Sequence, residues 1–425
     1  MSRRAVGIAI AAVLATLAVV FVAMNLGTGE KRIEQRLERL YATHEAQFRR
    51  SMGVLLGPPM LDGNRVEVLL NGDEIFPSML QAIRSAQRSI TFETYIYWSG
   101  SIGREFADAL VERARAGVKV HVLLDWIGSA KMDDALLDEL RAGGVALERY
   151  HQPHWYHLPR LNNRTHRKLL VVDGAVGFTG GVGIADQWRG HAQDADHWRD
   201  THFRIEGPAV AQMQAVFMDN WIKATGRVLH GGDYFPPLQA KGDMTAQMFS
   251  SSPTGGSESM HLMYLMAITA AQHSIELSSS YFVPDDLAIR ALVDAARRGV
   301  KVRIVTPGPD IDSEIVRRAS RARWGELLEA GITIAEYQPT MFHCKVLVVD
   351  ELLVSVGSTN FDNRSFRIND EANLNVLDAG FARRQVAIFE ADLARSRPVT
   401  LEAWRQRPWP QKLAEHAASL LGGQL

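Results

Sequence analysis

Two copies of one short pattern carry the residues best suited to catalysis in this sequence. Each copy has the form H-x-K-x4-D, with His166, Lys168 and Asp173 in the first and His343, Lys345 and Asp350 in the second. Imidazole has an ordinary pKa of about 6.5, so one histidine can attack as a nucleophile while the other donates a proton. The lysines place positive charge beside the histidines. The pattern predicts nucleophilic and acid–base chemistry by the two histidines.

Both copies run into an apolar, β-branched segment that predicts a strand. Side chains alternate along a strand, so the histidine and lysine of each copy share one face. Cys344 then points to the other face, where we expect a small core side chain rather than a reactive thiol. Asp173 and Asp350 fall out of phase with the His–Lys pairs. Although they complete the candidate catalytic motifs, we expect them to close the strand or turn through hydrogen bonds.

The two motifs lie at matching places in an internal repeat. Residues 109–125 resemble residues 291–307, and each copy predicts a helix that ends at Gly117 or Gly299 before a strand. Alternating helices and strands predict an α/β fold. We expect two duplicated mixed-sheet halves that meet face to face.

The N-terminal segment predicts one transmembrane helix. Residues 5–26 carry no charge, and these 22 residues would rise about 33 Å as a helix, enough to cross a hydrocarbon core of about 30 Å. A cleaved signal peptide is the alternative, although its apolar run is usually about 7–15 residues long. Basic residues flank both ends of the segment, so charge does not assign the side of the membrane that holds the rest of the chain.

Further patterns divide the chain into five segments. Ile33, Leu37, Leu40 and Tyr41 recur at helical spacing and predict an amphipathic helix, with a solvated charged face as the alternative. We predict an anchor, a juxtamembrane helix with linker, a first half, a second half and a C-terminal aromatic and helical tail, at residues 1–28, 29–60, 61–240, 241–396 and 397–425.

Composition excludes several classes of protein. The 425 residues are 46% hydrophobic and 22% charged, which excludes a mainly disordered chain and favours more than one domain. A formal charge of −1 lacks the basic excess of a dedicated nucleic-acid binder. The single cysteine excludes an internal disulfide framework and a cysteine-cluster zinc site.

The paired motifs and the stretches around them resemble the phospholipase D superfamily, and within it the bacterial cardiolipin synthases that carry two HxKxxxxD motifs. The supporting stretches are residues 163–174, 178–181, 198–200, 280–285, 361–366 and 369–371. The resemblance implies that the motifs form one active site, with Ser358 and Asn360 binding phosphate. It also implies that Asp200 and Glu371 bind the far ring nitrogens of the histidines. The first half departs from the family's GSxN extension, because Gly181 and Gly183 stand where serine and asparagine are usual.

The resemblance implies a membrane-anchored phosphatidyltransferase of the bacterial inner membrane that needs no metal or cofactor. Two phosphatidylglycerols would yield cardiolipin and glycerol through a phosphohistidine, with His166 as nucleophile and His343 as general acid. A phospholipase D that releases phosphatidic acid is the alternative, and a nuclease of the same superfamily or an inactive membrane scaffold is a weaker one. We therefore expect a phospholipid and the membrane as partners, and no nucleic acid.

Three other groups of residues have two interpretations each. His151, His154 and His157 suggest a metal site, but their loop lacks an accompanying carboxylate, which favours histidines at the surface or the substrate rim. This loop is an insertion whose aromatic residues suit either a lipid interface or packing. The arginines of residues 317–323 suit anionic headgroups or a solvated helix face. Trp404, Trp409 and Leu420 suit membrane contact or docking on the core.

Overall fold

A computed structural model describes residues 2–26, 33–152, 162–253 and 258–425 of the protein. The helices in these ranges are α1 (Arg3–Leu26), α2 (Ala46–Leu56), α3 (Asn71–Ser85), α4 (Ser101–Arg115), α5 (Asp134–Ala142), α6 (Ala209–Thr225), α7 (Ser259–Ala270), α8 (Asp286–Arg297), α9 (Glu314–Ala322), α10 (Gly325–Glu329), α11 (Asn363–Arg367), α12 (Ala379–Ala394), α13 (Leu401–Arg405) and α14 (Trp409–Ser419).

The strands in the same ranges are β1 (Leu61–Leu70), β2 (Ser89–Thr94), β3 (Lys119–Asp125), β4 (Ala146–Tyr150), β5 (Leu169–Val172), β6 (Val176–Gly180), β7 (Thr201–Glu206), β8 (Met244–Ser251), β9 (Ser274–Ser279), β10 (Phe282–Val283), β11 (Lys301–Pro307), β12 (Thr333–Tyr337), β13 (Lys345–Val349), β14 (Leu353–Gly357), β15 (Phe361–Asp362), β16 (Glu371–Leu377) and β17 (Ser396–Pro398). A short 3-10 helix covers Asp186–Trp188.

The described strands show the predicted duplication directly. The first half has the strand order β1-β7-β6-β5-β2-β3-β4, and the second half repeats it as β8-β16-β14-β13-β9-β11-β12, with β17 added at the edge. In each half three neighbouring strands are parallel and the others antiparallel, so each half-sheet is mixed. Strands β1 and β8 pair with each other and join the halves into one 15-stranded sheet within the described residues.

Helices cover the sheet, and local sequence explains where they end. Helices α4 and α8 stop at matching glycines, Gly117 and Gly299, whose φ angles of +91° and +92° favour a residue without a side chain. Outer apolar clusters pack α3, α4 and α5 on the first half and α7, α8 and α10 on the second. A third cluster contains Val171, Val348 and Leu374 from both halves, so the halves share a core at the place where they meet.

The segment before β1 differs from its prediction. The predicted helix over residues 33–41 is wrong, because residues 33–42 contain no helix and α2 begins only at Ala46. Leu37 and Tyr41 instead pack against the apolar cluster of the second half, which also buries Phe48 from α2. Burial against the second half, rather than helical amphipathicity, explains the spacing of these apolar residues.

The C-terminal residues dock on the second half. Strand β17 pairs antiparallel with β12, and the indole nitrogen of Trp404 donates to the carbonyl oxygen of Arg321 at 2.7 Å. Trp409 and Leu420 are exposed. At the other end, α1 is long and apolar enough to cross a membrane, and it makes no buried contact in its most apolar part, Arg3–Val20.

Candidate active site

The two motif histidines lie where the halves meet. Each has its backbone held by the opposite half, because His166 N–H donates to the carbonyl oxygen of Asp370 at 2.9 Å and His343 N–H donates to that of Arg199 at 2.7 Å. Both acceptors directly precede the carboxylates that the sequence singled out. The register of β5 and β13 then continues each motif into the core of its own half-sheet. The backbone contacts therefore fix each histidine against the facing half.

Each histidine is oriented by a carboxylate of the other half. His166 Nδ1 lies 2.9 Å from Glu371 Oε1, and His343 Nδ1 lies 2.8 Å from Asp200 Oδ2. The imidazoles retain 11% and 8% of their side-chain exposure, whereas both carboxylates are fully buried. An ionised carboxylate can only accept, so it fixes the tautomer with hydrogen on Nδ1. In both rings, Nε2 is left with a lone pair for chemistry.

The surroundings keep both imidazoles neutral in the free protein. Burial is the main cause that lowers the pKa of His166 to about 4 and that of His343 to about 3, and nearby lysine charge adds to it. Burial alone would raise the pKa of Asp200 and Glu371, but the neighbouring histidines and lysines outweigh it and lower both values. The site therefore pairs a neutral nucleophile with ionised carboxylates.

The lysines of the two motifs lie close to each other and to both histidines. Lys168 Nζ donates to the carbonyl oxygen of His166 at 2.8 Å and lies 5.6 Å from the centre of the Tyr95 ring. Lys345 Nζ donates to the carbonyl oxygen of His343 at 2.8 Å and to Ser280 Oγ. Burial, followed by the charge of Lys345, lowers the pKa of Lys168 to about 7, and burial also lowers the pKa of Lys345. Two close ammonium groups of this kind favour binding of an anion between them.

In the first half, Gly181 stands where the family usually has serine, and the structure gives a steric reason. A Cβ atom at Gly181 would lie 2.2 Å from Asp200 Oδ1, so serine does not fit there. The indole nitrogen of Trp188 instead donates to Asp200 Oδ2 at 2.9 Å. In the second half, Ser358 Oγ donates to Glu371 Oε2. Trp188 therefore supplies the hydrogen bond that Ser358 supplies on the other side, a role that sequence reasoning missed.

Ser358 and Asn360, which the resemblance assigns to phosphate binding, both contact other residues of the site. Ser358 Oγ is engaged with Glu371 and accepts from the backbone N–H of Ala372 at 3.0 Å, so it positions a carboxylate. Asn360 Oδ1 accepts from Ser280 Oγ at 2.7 Å, and this hydroxyl is also the partner of Lys345. The loop that carries Ser358 and Asn360 is therefore connected to Glu371, which orients His166, and through Ser280 to Lys345.

The motif aspartates lie at the other end of their strands and bind backbone. Asp173 accepts from the N–H groups of Gln87, Arg88 and Ser89, while Asp350 accepts from those of Gln272, His273 and Ser274. Each aspartate thereby closes the turn before β2 or β9, as the strand phase predicts. Neither carboxylate contacts a motif histidine.

The remaining candidate residues are the cysteine, the arginines of residues 317–323 and the histidines of residues 151–157. Cys344 is buried beside Val305 and Phe342, which confirms the packed interpretation. The four arginines of residues 317–323 each pair with a carboxylate, so they form no free basic face. His154 and His157 lie outside the described residues, while His151 Nδ1 lies 3.3 Å from the carbonyl oxygen of Asn163. In the described part of the chain no group of three or more metal-ligating side chains is arranged for a metal ion.

The arrangement suits a two-step displacement at phosphorus. Two imidazoles with fixed tautomers and two lysine ammonium groups lie close enough to act on one another's charge. One ring can attack a phosphodiester while the other carries a proton to the leaving oxygen. None of these side chains is selective for one alcohol, so these residues alone do not identify the substrate.

Comparison with known proteins identifies the family. A family model described as "Cardiolipin synthase, PLD-like domain" matches residues 79–221 and 264–393. Cardiolipin synthase of Geobacillus kaustophilus (strain HTA426) is 37% identical over 369 residues, covering 85% of this chain and 73% of that protein. Cardiolipin synthase A of Pseudomonas syringae pv. syringae (strain B728a) is 34% identical over 375 residues, covering 88% of this chain and 77% of that protein.

A solved structure agrees on the fold. Phosphatidylserine synthase of Haemophilus influenzae Rd KW20 superimposes with a TM-score of 0.68 at 14% identity, covering 90% of this chain and 100% of that chain. The family match covers both halves and both His–Lys pairs, and the sequence relatives are similar along most of their length. On these grounds the chain belongs to the cardiolipin synthase family of the phospholipase D superfamily.

Proposed function

We propose that this protein is a cardiolipin synthase that transfers a phosphatidyl group from one phosphatidylglycerol to another and releases glycerol. The observation that carries the proposal is the pair of His–Lys motifs, each completed by a carboxylate of the opposite half, in a chain 37% identical to a cardiolipin synthase. One phosphodiester is broken and one is made, so the reaction needs no separate energy source. Phospholipid is the substrate class, and phosphatidylglycerol is the specific donor and acceptor in this proposal.

In the first step, Nε2 of His166 attacks the phosphorus of the donor. The bond between phosphorus and the headgroup glycerol oxygen breaks, and His343 protonates that oxygen. His343 must gain a proton for this role, and a bound phosphate anion raises its pKa by favouring the cationic form. Lys168 and Lys345 stabilise the charge that develops on the phosphate oxygens. The products of this step are free glycerol and a phosphatidyl group bonded to His166.

In the second step, neutral His343 removes the proton from a glycerol hydroxyl of the acceptor. The resulting oxygen attacks phosphorus, the bond to His166 Nε2 breaks, and cardiolipin forms. Water in place of the acceptor would give phosphatidic acid through the same residues, so transfer depends on excluding water from the pocket. Glu371 and Asp200 keep both rings in the required tautomer throughout.

We place the enzyme in the bacterial inner membrane through a single span formed by α1. Its 24 residues rise about 36 Å as a helix, which exceeds the hydrocarbon thickness of about 30 Å. An anchor of this kind keeps the pocket close to lipids that are insoluble in water. The segments proposed above, residues 1–28, 29–60, 61–240, 241–396 and 397–425, then comprise the anchor, a linker, two catalytic halves and a docked tail.

The test uses purified full-length protein with radiolabelled phosphatidylglycerol, beside His166→Ala and His343→Ala variants. Cardiolipin and glycerol should form with the wild-type protein and disappear with both variants. Phosphatidic acid as the only product would favour hydrolysis, and no lipid product would contradict the phospholipid assignment. Acid-quenched mass spectrometry of the wild-type reaction should place phosphate on His166, while phosphate on His343 would reverse the two roles.

A further inference from the structure

Arg364 presents a half-buried guanidinium group beside the pocket. Its three side-chain hydrogen bonds go to neutral oxygens: Nε to the carbonyl of Gln424 at 2.9 Å, Nη1 to the carbonyl of Asn162 at 3.1 Å and Nη2 to Asn162 Oδ1 at 2.7 Å. Its backbone N–H also donates to a main-chain oxygen of Leu425 at 3.0 Å. Among the described residues no carboxylate forms an ion pair with Arg364. Three neutral hydrogen-bond partners therefore hold the guanidinium group, and the carboxylate of Asp362 acts on its charge.

Arg164 carries a second guanidinium group on the catalytic face of the first motif. It lies two residues before His166 in an extended segment, where Asp370 N–H donates to the Arg164 carbonyl oxygen at 2.8 Å. Alternate residues of an extended segment share a face, so Arg164, His166 and Lys168 point the same way. Arg164 also hydrogen-bonds Tyr95, whose ring centre lies 5.2 Å from that of His166.

The two guanidinium groups act on each other. Burial and the positive charge of Arg164 lower the pKa of Arg364, while Asp362, Tyr95 and Tyr281 act in the opposite direction. Both arginines also act on Tyr95, which places them around the same ring next to His166. Asp125 and Asp362 offset part of the repulsion between these two like charges, and an anion bound between the arginines would offset more of it.

The arginine pair occurs on one side of the site only. Met341 stands two residues before His343, where Arg164 stands before His166, and it is buried. Arg364 lies four residues after Asn360. At the matching position of the first half, four residues after Gly183, the sequence has Gln187. A duplicated fold with an unduplicated pair of cations points to a task that the two halves do not share. Donor and acceptor are the two substrates that such an asymmetry would distinguish.

We propose that Arg164 and Arg364 bind the phosphodiester of the acceptor lipid. This inference rests on the proposed function, in which two anionic lipids occupy the site in succession around one phosphohistidine. Lys168 and Lys345 face the reacting phosphate, which leaves the second phosphate without a cation from the motifs. Arginine is suited to this task because its planar guanidinium group binds phosphate oxygens in a bidentate manner. The pair would favour a lipid acceptor over water or a free alcohol.

The test compares two acceptors that differ in the phosphate alone. Cardiolipin formation uses phosphatidylglycerol as acceptor, whereas incorporation of labelled free glycerol into phosphatidylglycerol uses the same donor and a phosphate-free acceptor. Arg364→Gln and Arg164→Gln should each lower cardiolipin formation by about 10- to 100-fold, the effect of losing a charge-assisted hydrogen bond. Glycerol incorporation should fall by less than about threefold. Arg318→Gln, which removes an exposed arginine paired with Glu314, is the matched control for both rates.

The outcomes separate this inference from the function on which it rests. Equal losses with both acceptors would assign the arginines to the donor, and no loss with either would remove them from phosphate binding; both results overturn the inference. A wild-type protein that transfers phosphatidyl to neither acceptor would contradict the proposed function itself. Arg364→Lys keeps the charge without the bidentate geometry and should recover part of the rate, which a merely structural role would not predict. Circular dichroism melting confirms that each variant is folded.

Discussion

Burial changes the acid–base behaviour of the residues that carry the chemistry. The pKa of His166 is lowered to about 4, so the ring stays neutral until the pH falls well below the ordinary value of about 6.5. The pKa of Lys168 is lowered to about 7, so its charge is lost as the pH rises through neutrality. Because kcat/KM reports the free enzyme, we predict that it falls as the pH rises, since the first step needs a proton on His343 and a charge on Lys168, and that it shows no acid-side loss down to about pH 5. A pH series in detergent micelles measures it, and an acid limb centred near pH 6.5 would contradict the assignment.

Glu371 and Asp200 set the tautomers of His166 and His343, and this gives a second prediction at the scale of single residues. Glu371→Gln replaces an acceptor with an amide that can donate to His166 Nδ1, which moves hydrogen to Nε2 and removes the attacking lone pair. We expect kcat to fall by about 10³- to 10⁴-fold, as for asparagine in place of the triad aspartate of serine proteases. Steady-state turnover measures the loss.

Ser358→Ala is the matched control for Glu371→Gln. It removes one hydrogen bond to the Glu371 carboxylate but leaves its charge and its contact with His166. A loss of about fivefold is expected, equal to one hydrogen bond of about 1 kcal/mol. Comparable losses in the two variants would argue that correct placement of the carboxylate, rather than its charge, limits the reaction.

Among the elements, α12 is tied to the segment before β7 by a buried ion pair. Arg199 Nε and Nη2 each lie 2.9 Å from one oxygen of Asp392 on α12, and the Arg199 carbonyl holds the backbone of His343. Arg199→Ala leaves the Asp392 charge buried and unpaired, so we predict a loss of about 3–5 kcal/mol in the free energy of unfolding. Urea unfolding in detergent measures the change. The exposed pair of Arg318 and Glu314 is the control, and Arg318→Ala should cost less than about 1 kcal/mol.

The strands of the motifs could be predicted from the sequence because both the two-residue alternation and the repeat point to the same faces. His166 and His343 therefore lie beside Glu371 and Asp200, whereas Cys344 packs in the core. The role of Trp188 could not be predicted, since it depends on the approach of a short 3-10 helix to Asp200. The helix predicted over residues 33–41 failed for a related reason: tertiary burial of Leu37 imitates helical periodicity.

Across the whole molecule, neither half contains a complete catalytic set. Each half contributes a His–Lys pair and the carboxylate that orients the other half's histidine, and the pairing of β1 with β8 holds the halves in register. The shared core adds apolar contacts across the same junction. Duplication alone predicts two similar halves, whereas the exchange of carboxylates makes the proposed active site depend on both halves.

The N-terminal helix gives the prediction that belongs to the whole molecule. The Arg3–Val20 part of α1 makes no buried contact, so removal of residues 3–26 should leave the melting temperature of the remaining protein unchanged. Turnover of detergent-dispersed lipid should persist, while sedimentation with phosphatidylglycerol vesicles should fall sharply because a span of this length is the main membrane attachment. Continued sedimentation would instead assign attachment to the exposed apolar residues Trp409, Leu413 and Leu420. Trp409→Ser in the shortened protein distinguishes these sources, since a tryptophan at the membrane surface contributes strongly to binding.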